Sequence, residues 1–220
     1  MPRIRGVNLE EHHELVWADL AEAIRQLLLE RDYDSINMGH IAARAGLARN
    51  TLYNYATDKS ALVLALTERR GRPTVERVTA IAARSAQPAG QRMLDIIQEV
   101  LEAFTDPAMH LMFRPGTRMP AADASKGPDN PFHAIVVAVE HVVRDGIARG
   151  EFRDVGDPRL AVELLSGVMR AGAERIGRDP AAFTATVRAA REIILSSLTA
   201  RHGSGSGTPT ASSESTRQAT

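Results

Sequence analysis

The stretch from residue 37 to residue 62 constrains this chain most, because it contains two short helical patterns separated by a tight turn. Ile41 and Ala42 give the first pattern an apolar side, and Gly46 stands where a helix would end and reverse. The second pattern has one apolar anchor, Leu52, among polar residues. Such a pair, with a polar second helix, is typical of a helix-turn-helix that enters the major groove of DNA.

The polar side chains around Leu52 suit contacts with base edges and phosphates. A guanidinium pairs bidentately with guanine and a carboxamide with adenine, so Arg49 and Asn50 are the candidates for reading bases. Thr51 suits a thymine methyl or a phosphate. Lys59 would bring a positive charge to the start of the next helix, where free backbone N–H groups already attract anions. The residues alone therefore predict DNA binding.

These positions also form one longer pattern: Asn37-Met38-x-x-Ile41-Ala42-x-x-Ala45-Gly46-Leu47, then Thr51-Leu52-Tyr53-x-Tyr55, then Asp58-Lys59-x-x-Leu62. The pattern resembles the N-terminal signature of the tetracycline-repressor (TetR) family of one-component regulators, over residues 20 to 65. The resemblance implies that the second helix faces DNA and that the position matching Lys59 meets a phosphate. The predicted DNA-binding residues are Asn37, Arg49, Asn50, Thr51, Tyr53, Asn54, Tyr55 and Lys59.

Three positions depart from the family pattern. Ala48 stands where the family usually has a serine that caps the recognition helix, and the loss of such a cap costs about 0.5–2 kcal/mol. Ala56 replaces a usual aromatic residue, and Asp32 replaces the usual glycine after the first helix. With Ala48 as N-cap, we expect the first N–H groups of the recognition helix to lack a side-chain acceptor.

Composition narrows the class of protein. The chain has 220 residues, which allows one large or two small domains, and its hydrophobic content of 44% is enough for a sizeable core. It has no cysteine, which excludes disulfides, cysteine-ligated zinc and iron–sulfur clusters. Because no segment reads as a signal peptide or approaches the ~18 apolar residues of a membrane span, we expect a cytoplasmic protein without a membrane partner.

The distribution of charge is more informative than the net charge, which is zero. Residues 35–57 contain two arginines, Arg44 and Arg49, and no acid, whereas residues 10–22 are acidic. A local basic patch of this kind suits a compact dimer that touches a few phosphates, rather than a protein that coats long stretches of nucleic acid.

Apolar spacing predicts an all-α fold. A capping box at Asn8 and Glu11 opens a first helix that runs to about Arg31. The helix-turn-helix follows, from Asn37 as N-cap, and Asp58 begins a fourth helix in which Gly71 and Pro73 predict a bend or break. Further helices are predicted over 91–104, 132–149, 158–176 and 181–198, with no alternating strand pattern.

The predicted domains are a three-helix helix-turn-helix DNA-binding domain over residues 8–70 and a helical ligand-binding and dimerisation domain over residues 71–201. The tail over residues 202–220 is polar and rich in Gly, Ser and Thr, so we expect it to be disordered. Arg3 and Arg5 would form either a minor-groove arm or simply a mobile basic terminus.

Apolar and methionine-rich segments in the second domain predict a ligand pocket with a few polar groups, although each residue taken singly also suits a plain core. The predicted ligand-binding residues are Met93, Ile97, Leu101, Phe104, His110, Phe113, Arg114, Phe132, His141 and Met169. The expected ligand is a small apolar or amphipathic effector. No bound cofactor is expected. His133 and His141 share a helix face, but a metal site would need a third ligand such as His110, so we expect no metal.

The last two long helices each have an apolar surface wider than one stripe, which predicts burial against both their own domain and a partner. The residues are Leu160, Val162, Leu164, Leu165, Val168 and Met169 on one helix, and Phe183, Val187, Ala190, Ile193, Ile194, Ser197 and Leu198 on the other. The resemblance implies the same arrangement, a four-helix bundle between two subunits.

The sequence as a whole predicts a homodimeric, ligand-responsive transcriptional regulator, usually a repressor in this family, that leaves a palindromic operator when an effector binds. One alternative is a DNA-binding regulator without a ligand. Another is a helical enzyme or interaction module that keeps the helix-turn-helix as scaffold, although no nucleophile elbow, phosphate-binding loop or zinc-protease motif is present.

Overall fold

The computed structural model describes residues 8–106, 109–110 and 132–199, and these form helices joined by short connections, with no strand among them. The helices are α1 (Leu9–Glu30), α2 (Met38–Arg44), α3 (Arg49–Tyr53), α4 (Lys59–Ala82), α5 (Ala89–Ala103), α6 (His133–Ala148), α7 (Pro158–Arg178) and α8 (Phe183–Leu198). Short 3-10 turns occur at Tyr33–Ser35 and Pro180–Ala182. The predicted all-α fold is confirmed. No helix in these described ranges has the length and apolar character that a membrane span requires.

Each of the three helices that were predicted from a polar N-cap begins directly after that residue. The side chains of Asn8, Asn37 and Asp58 each accept a hydrogen bond from a backbone N–H in the first turn of α1, α2 and α4. In α2, the backbone N–H of Asn37 donates in turn to Nδ1 of His40, which completes a capping box. Ala48 is the N-cap of α3 and makes no side-chain bond, as its methyl group dictates.

Two apolar clusters form the core, and α4 contributes to both. The first cluster joins α1, α2 and α3 to Leu62, Val63 and Leu66 of α4. The second joins α5, α6, α7 and α8 to Val78 and Ile81, farther along α4. Because α4 is one continuous helix of 24 residues, the two clusters share a single stiff element.

A bend or break was predicted at Gly71 and Pro73, and the break is wrong, because α4 continues through Pro73 to Ala82. A proline inside a helix removes one backbone hydrogen bond and costs about 3 kcal/mol or more. Packing on both sides offsets this cost, since Leu66 lies in one core cluster and Val78 in the other. Gly71 is buried where the ring of Phe132, at the start of α6, lies against α4, and a Cβ at position 71 would overlap that ring.

An ion pair with a fully buried arginine joins the second cluster where α4, α5 and α6 meet, and it was not predicted from the sequence. Arg92 of α5 has no exposed surface; its Nη1 donates to the carbonyl oxygen of Ala82 at 2.9 Å and its Nη2 donates to the carboxylate of Asp145. Arg149 donates to the same carboxylate at 3.0 Å and to the carbonyl oxygen of Ser85 at 2.8 Å. The two arginines thus attach the end of α4 and the following turn to α6.

The charge of Asp145 is stabilised by these partners. Burial by itself raises the pKa of Asp145, but the hydrogen bond from Arg92 and the positive charges of Arg92 and Arg149 outweigh it. The pKa of Asp145 therefore lies below its ordinary value, and the carboxylate remains ionised beside the buried guanidinium.

Three more exposed ion pairs run along the contact between α4 and α5. Three arginines spaced seven residues apart, two on α4 and one just after its end, face acids on or just after α5. The pairs are Arg70 with Asp106 at 3.8 Å, Arg77 with Glu99 at 2.6 Å, and Arg84 with Asp95 at 3.9 Å.

The apolar surfaces of α7 and α8 are divided between two faces. Val162, Val187, Ala190, Ile194 and Leu198 are buried in the chain's own core, so they form the face of α7 and α8 that packs against their own domain. Helical periodicity reveals two faces but does not say which one meets the core. The exposed apolar residues are Leu160, Leu164 and Ile193, with 52%, 67% and 51% of their surfaces exposed.

We predict that Asp145→Ala lowers the free energy of unfolding by about 3–5 kcal/mol, because it leaves the charge of Arg92 buried without its partner. Asp95→Ala is the matched control, since it removes the acid of the exposed pair with Arg84 and should cost about 1 kcal/mol or less. Urea unfolding of the two variants and the parent measures both costs. Equal losses of unfolding free energy would show that the buried pair stabilises the fold no more than the exposed pair does.

We also predict that Ala48→Ser stabilises the free protein by about 0.5–2 kcal/mol, because the hydroxyl supplies the acceptor that the N-cap of α3 lacks. The gain should shrink in a DNA complex if a phosphate already accepts from the same N–H groups. Thermal unfolding with and without DNA measures both effects. An unchanged or lower midpoint for the free serine variant would contradict the missing-cap argument.

Candidate DNA-binding surface

The turn before α3 presents that short helix on the outside of the first cluster. Gly46 adopts φ 67°, the left-handed conformation that glycine tolerates, and the N–H of Leu47 returns to the carbonyl oxygen of Ala42 at 2.9 Å. Leu52 is fully buried and is the one core residue of α3. The structure therefore has the helix-turn-helix that the sequence predicted, with α2 as its first helix and α3 as its second.

One face of α3 exposes four of the polar residues that were predicted to contact DNA. Arg49 and Asn50 at its start, and Tyr53 and Asn54 at its end, are all exposed. The Arg49 guanidinium lies 5.8 Å from the centroid of the Tyr53 ring, and its Nη2 donates to the Tyr53 hydroxyl at 3.4 Å. No acid among the described residues pairs with Arg49, so its charge stays available to a nucleic acid.

Other predicted residues have structural partners as well. Asn37 is exposed but uses its side-chain oxygen to cap α2, and Thr51 is half-buried. Arg44, the second arginine of the predicted basic patch, donates to Glu30 of α1 at 2.7 Å, and this bond raises the pKa of its guanidinium. The positive charge of the patch is therefore concentrated at Arg49.

Tyr55 lies beside α1 as a packing residue. Its ring meets the Trp17 ring edge-on, with centroids 5.4 Å apart, and lies 5.6 Å from the ring of His13. Burial raises the pKa of Tyr55. Its backbone N–H donates to the carbonyl oxygen of Leu52 at 2.9 Å, so the ring is attached to the last turn of α3.

Lys59 at the start of α4 is directed toward Tyr33. Its Nζ donates to the carbonyl oxygen of Tyr33 at 2.6 Å and lies 3.8 Å from the centroid of that ring. Burial lowers the pKa of Lys59, while the nearby Asp34 acts in the opposite direction. A phosphate contact by Lys59 would have to share the ammonium group with this bond.

The predicted ligand-binding residues fall into four groups. Phe113 and Arg114 lie outside the described residues, and His141 is exposed because the next two valines of α6 face the core. The Nε2 atom of His110 donates to the carbonyl oxygen of Phe104, at the end of α5. The remaining residues pack in or against the second core cluster: Met93, Ile97, Leu101, Phe104, Phe132 and Met169. Within the described ranges, no group of three or more acidic, histidine or cysteine side chains is arranged to hold a metal ion.

Comparison with known proteins supports the helix-turn-helix assignment. A family model described as bacterial regulatory proteins of the tetR family matches residues 20–66. Two uncharacterized HTH-type transcriptional regulators of Mycobacterium tuberculosis, from strains CDC 1551 / Oshkosh and ATCC 25618 / H37Rv, are each 29% identical over 125 residues. The matched region is 57% of this chain, and it spans 61% of the length of these relatives.

Solved structures with low sequence identity share the fold. The transcriptional regulator FadR from Bacillus subtilis, in complex with stearoyl-CoA, has a TM-score of 0.67 at 17% identity, over 84% of this chain and 98% of FadR. The SmeT–triclosan complex, of the Stenotrophomonas maltophilia efflux-pump repressor, has a TM-score of 0.64 at 18% identity, over 92% of this chain and 99% of SmeT. Residues 20–66 thus match the family of bacterial regulatory proteins called tetR, and the chain shares its fold with transcriptional regulators of known structure.

Proposed function

We propose that this regulator is a repressor in the cytoplasm that binds a palindromic operator as a homodimer and releases it when a small effector binds. The observation that carries the DNA-binding part is the exposed polar face of α3 around the buried Leu52. Arg49 and Asn50 would read base edges, while Thr51, Tyr53 and Asn54 would contact bases or phosphates nearby. Asn37, Tyr55 and Lys59 would add phosphate contacts at the edges of this face, beside their present contacts within the protein.

The exposed apolar residues of α7 and α8 support a dimer through these two helices. Leu160 and Leu164 lie on one side of α7, with the exposed Gly167 one turn farther along. Ile193 of α8 is exposed in the same way, one turn after the exposed Ala189. Large apolar residues next to small ones allow two helices to pack closely, and a second copy offers the same surface by symmetry.

The proposed effector is small and apolar or amphipathic, and its site is in the second domain, over residues 71–201. The apolar side chains of Met93, Ile97, Leu101 and Phe104 supply the required environment, and the partly buried Met169 adds an adaptable one. FadR and SmeT were solved with stearoyl-CoA and triclosan, which are ligands of this general character. The effector must bind more tightly to a conformation in which the spacing of the two recognition helices does not fit the operator. Equal affinity for this conformation and the DNA-binding one would leave the equilibrium between them unchanged.

The DNA-binding proposal is tested by selecting the fragments of the source genome that the purified protein retains, and by measuring binding to the selected operator. We predict that Arg49→Ala costs about 1–3 kcal/mol of binding free energy and relaxes specificity at one base pair. Arg25→Ala is the matched control, because Arg25 is an exposed arginine of α1 already paired with Glu22. If Arg49→Ala and Arg25→Ala bind alike, the recognition surface lies elsewhere.

The dimer proposal predicts that Leu164→Arg gives a folded monomer, because it places a charge on the exposed face of α7 and leaves the protomer core intact. Val187→Arg should instead unfold or aggregate the protein, since Val187 is only 4% exposed inside the core. Sedimentation gives the oligomeric state and circular dichroism gives the helical content. A dimer that persists in Leu164→Arg would place the interface on another surface.

A further inference from the structure

Arg69 of α4 makes a contact with α1 that the proposed contacts to DNA do not use. Its guanidinium carbon lies 5.1 Å from the centroid of the Trp17 ring, and its Nη2 donates to the carboxylate of Glu14. A guanidinium held over an indole face is an attractive cation–π arrangement, and the ion pair with Glu14 fixes its orientation. Arg69 therefore holds one face of Trp17 from the side of α4.

Trp17 in turn contacts Tyr55, which lies just after the recognition helix. The Trp17 and Tyr55 rings meet at an interplanar angle of 85°, the edge-to-face arrangement that aromatic pairs favour. Tyr55 follows the last turn of α3 directly, and its N–H is bonded to Leu52 within that helix. The position of the Tyr55 ring on Trp17 therefore sets the position of the C-terminal end of α3.

The recognition helix needs such outside support. It has five residues, too few to be stable as an isolated helix in water. Its N-cap, Ala48, offers no side-chain bond, and Leu52 is its single buried anchor. Leu52 fixes the depth of this short helix, and contacts beyond its end, such as that of the Tyr55 ring, contribute to fixing its direction.

We propose that Arg69 is a positioning residue for the recognition helix, acting through Trp17 and Tyr55; this inference rests on the proposed DNA binding. The same contacts connect α4 to the end of α3. Two residues beyond Arg69, the buried Gly71 meets the ring of Phe132 from the effector-binding domain. A displacement of α4 at Phe132 would therefore move Arg69 relative to Trp17 and tilt the end of α3.

Trp17 is the only tryptophan of the chain, so its fluorescence reports this contact directly. We expect Arg69→Ala to change the emission of Trp17 in the free protein. Arg70→Ala is the matched control: it removes the neighbouring arginine, which pairs with Asp106 away from Trp17, and should leave the emission as in the parent. Emission unchanged in Arg69→Ala would overturn the contact on which the inference stands.

Operator binding distinguishes positioning from direct contact. Arg69→Ala should weaken binding to the selected operator by about 3- to 30-fold, the range expected for loss of a partly buried cation–π contact. The dependence of affinity on salt should keep the parent's slope, because no phosphate contact is lost. A slope reduced by about one would mean that Arg69 itself binds a phosphate, and this would overturn the positioning role.

A conservative variant keeps the test decisive even where the alanine variant fails to fold. Arg69→Lys retains a cation over Trp17 without the planar guanidinium, so its affinity should lie between those of the parent and Arg69→Ala. Parental affinity in Arg69→Ala together with weakened binding in Arg49→Ala would overturn this inference and leave the proposed function standing. A parent that retains no genomic DNA would overturn both.

Discussion

A guanidinium without any exposed surface lies at the junction of α4, α5 and α6. Arg92 bonds to the carbonyl oxygen of Ala82, at the end of α4, and to the carboxylate of Asp145 on α6, so one side chain joins three helices. A buried charge is tolerated only when it is paired, and removal of either partner is therefore far more costly than loss of an exposed ion pair. The packing of the second core cluster around α4 depends on this pair being complete.

The opposite end of α4 is held in a similar way. At Lys59 an ammonium donates to the carbonyl oxygen of Tyr33, as the guanidinium of Arg92 does to that of Ala82. Between these two ends, α4 supplies apolar residues first to the first cluster and then to the second cluster. A helix attached at both ends and continuous through Pro73 moves as one rod, so a shift at one cluster is transmitted to the other.

The sequence predicted the elements well because their signals are local. Asn8, Asn37 and Asp58 begin helices through bonds to N–H groups three residues away, and apolar spacing within each helix follows from its own geometry. The Arg92–Asp145 pair joins residues that are 53 positions apart, which no local pattern contains. A signal was nevertheless present, since Arg92 lies on the apolar side of α5, next to Met93 and one turn before Ile96.

The site was predicted less completely for the same reason. The exposed positions of Arg49, Asn50, Tyr53 and Asn54 follow from the placement of Leu52 on a short helix. The packing of Tyr55 on Trp17 depends on how α1 lies against α3, which the spacing of neither helix determines. The two apolar faces of α7 and α8 have equal periodicity, and only the folded arrangement shows that Leu164 faces outward while Val187 faces inward.

The contact between Gly71 and Phe132 restricts the substitutions that these two positions can accept during evolution. Any side chain at position 71 would overlap the phenyl ring, so the two positions share one fixed volume between them. Gly146 of α6 and Phe152, which follows that helix, share volume in the same way. A larger residue at either glycine therefore requires a smaller one at the matching phenylalanine. Covariation of Gly71 and Phe132 among relatives would then record the distance between α4 and the start of α6 in sequence alone.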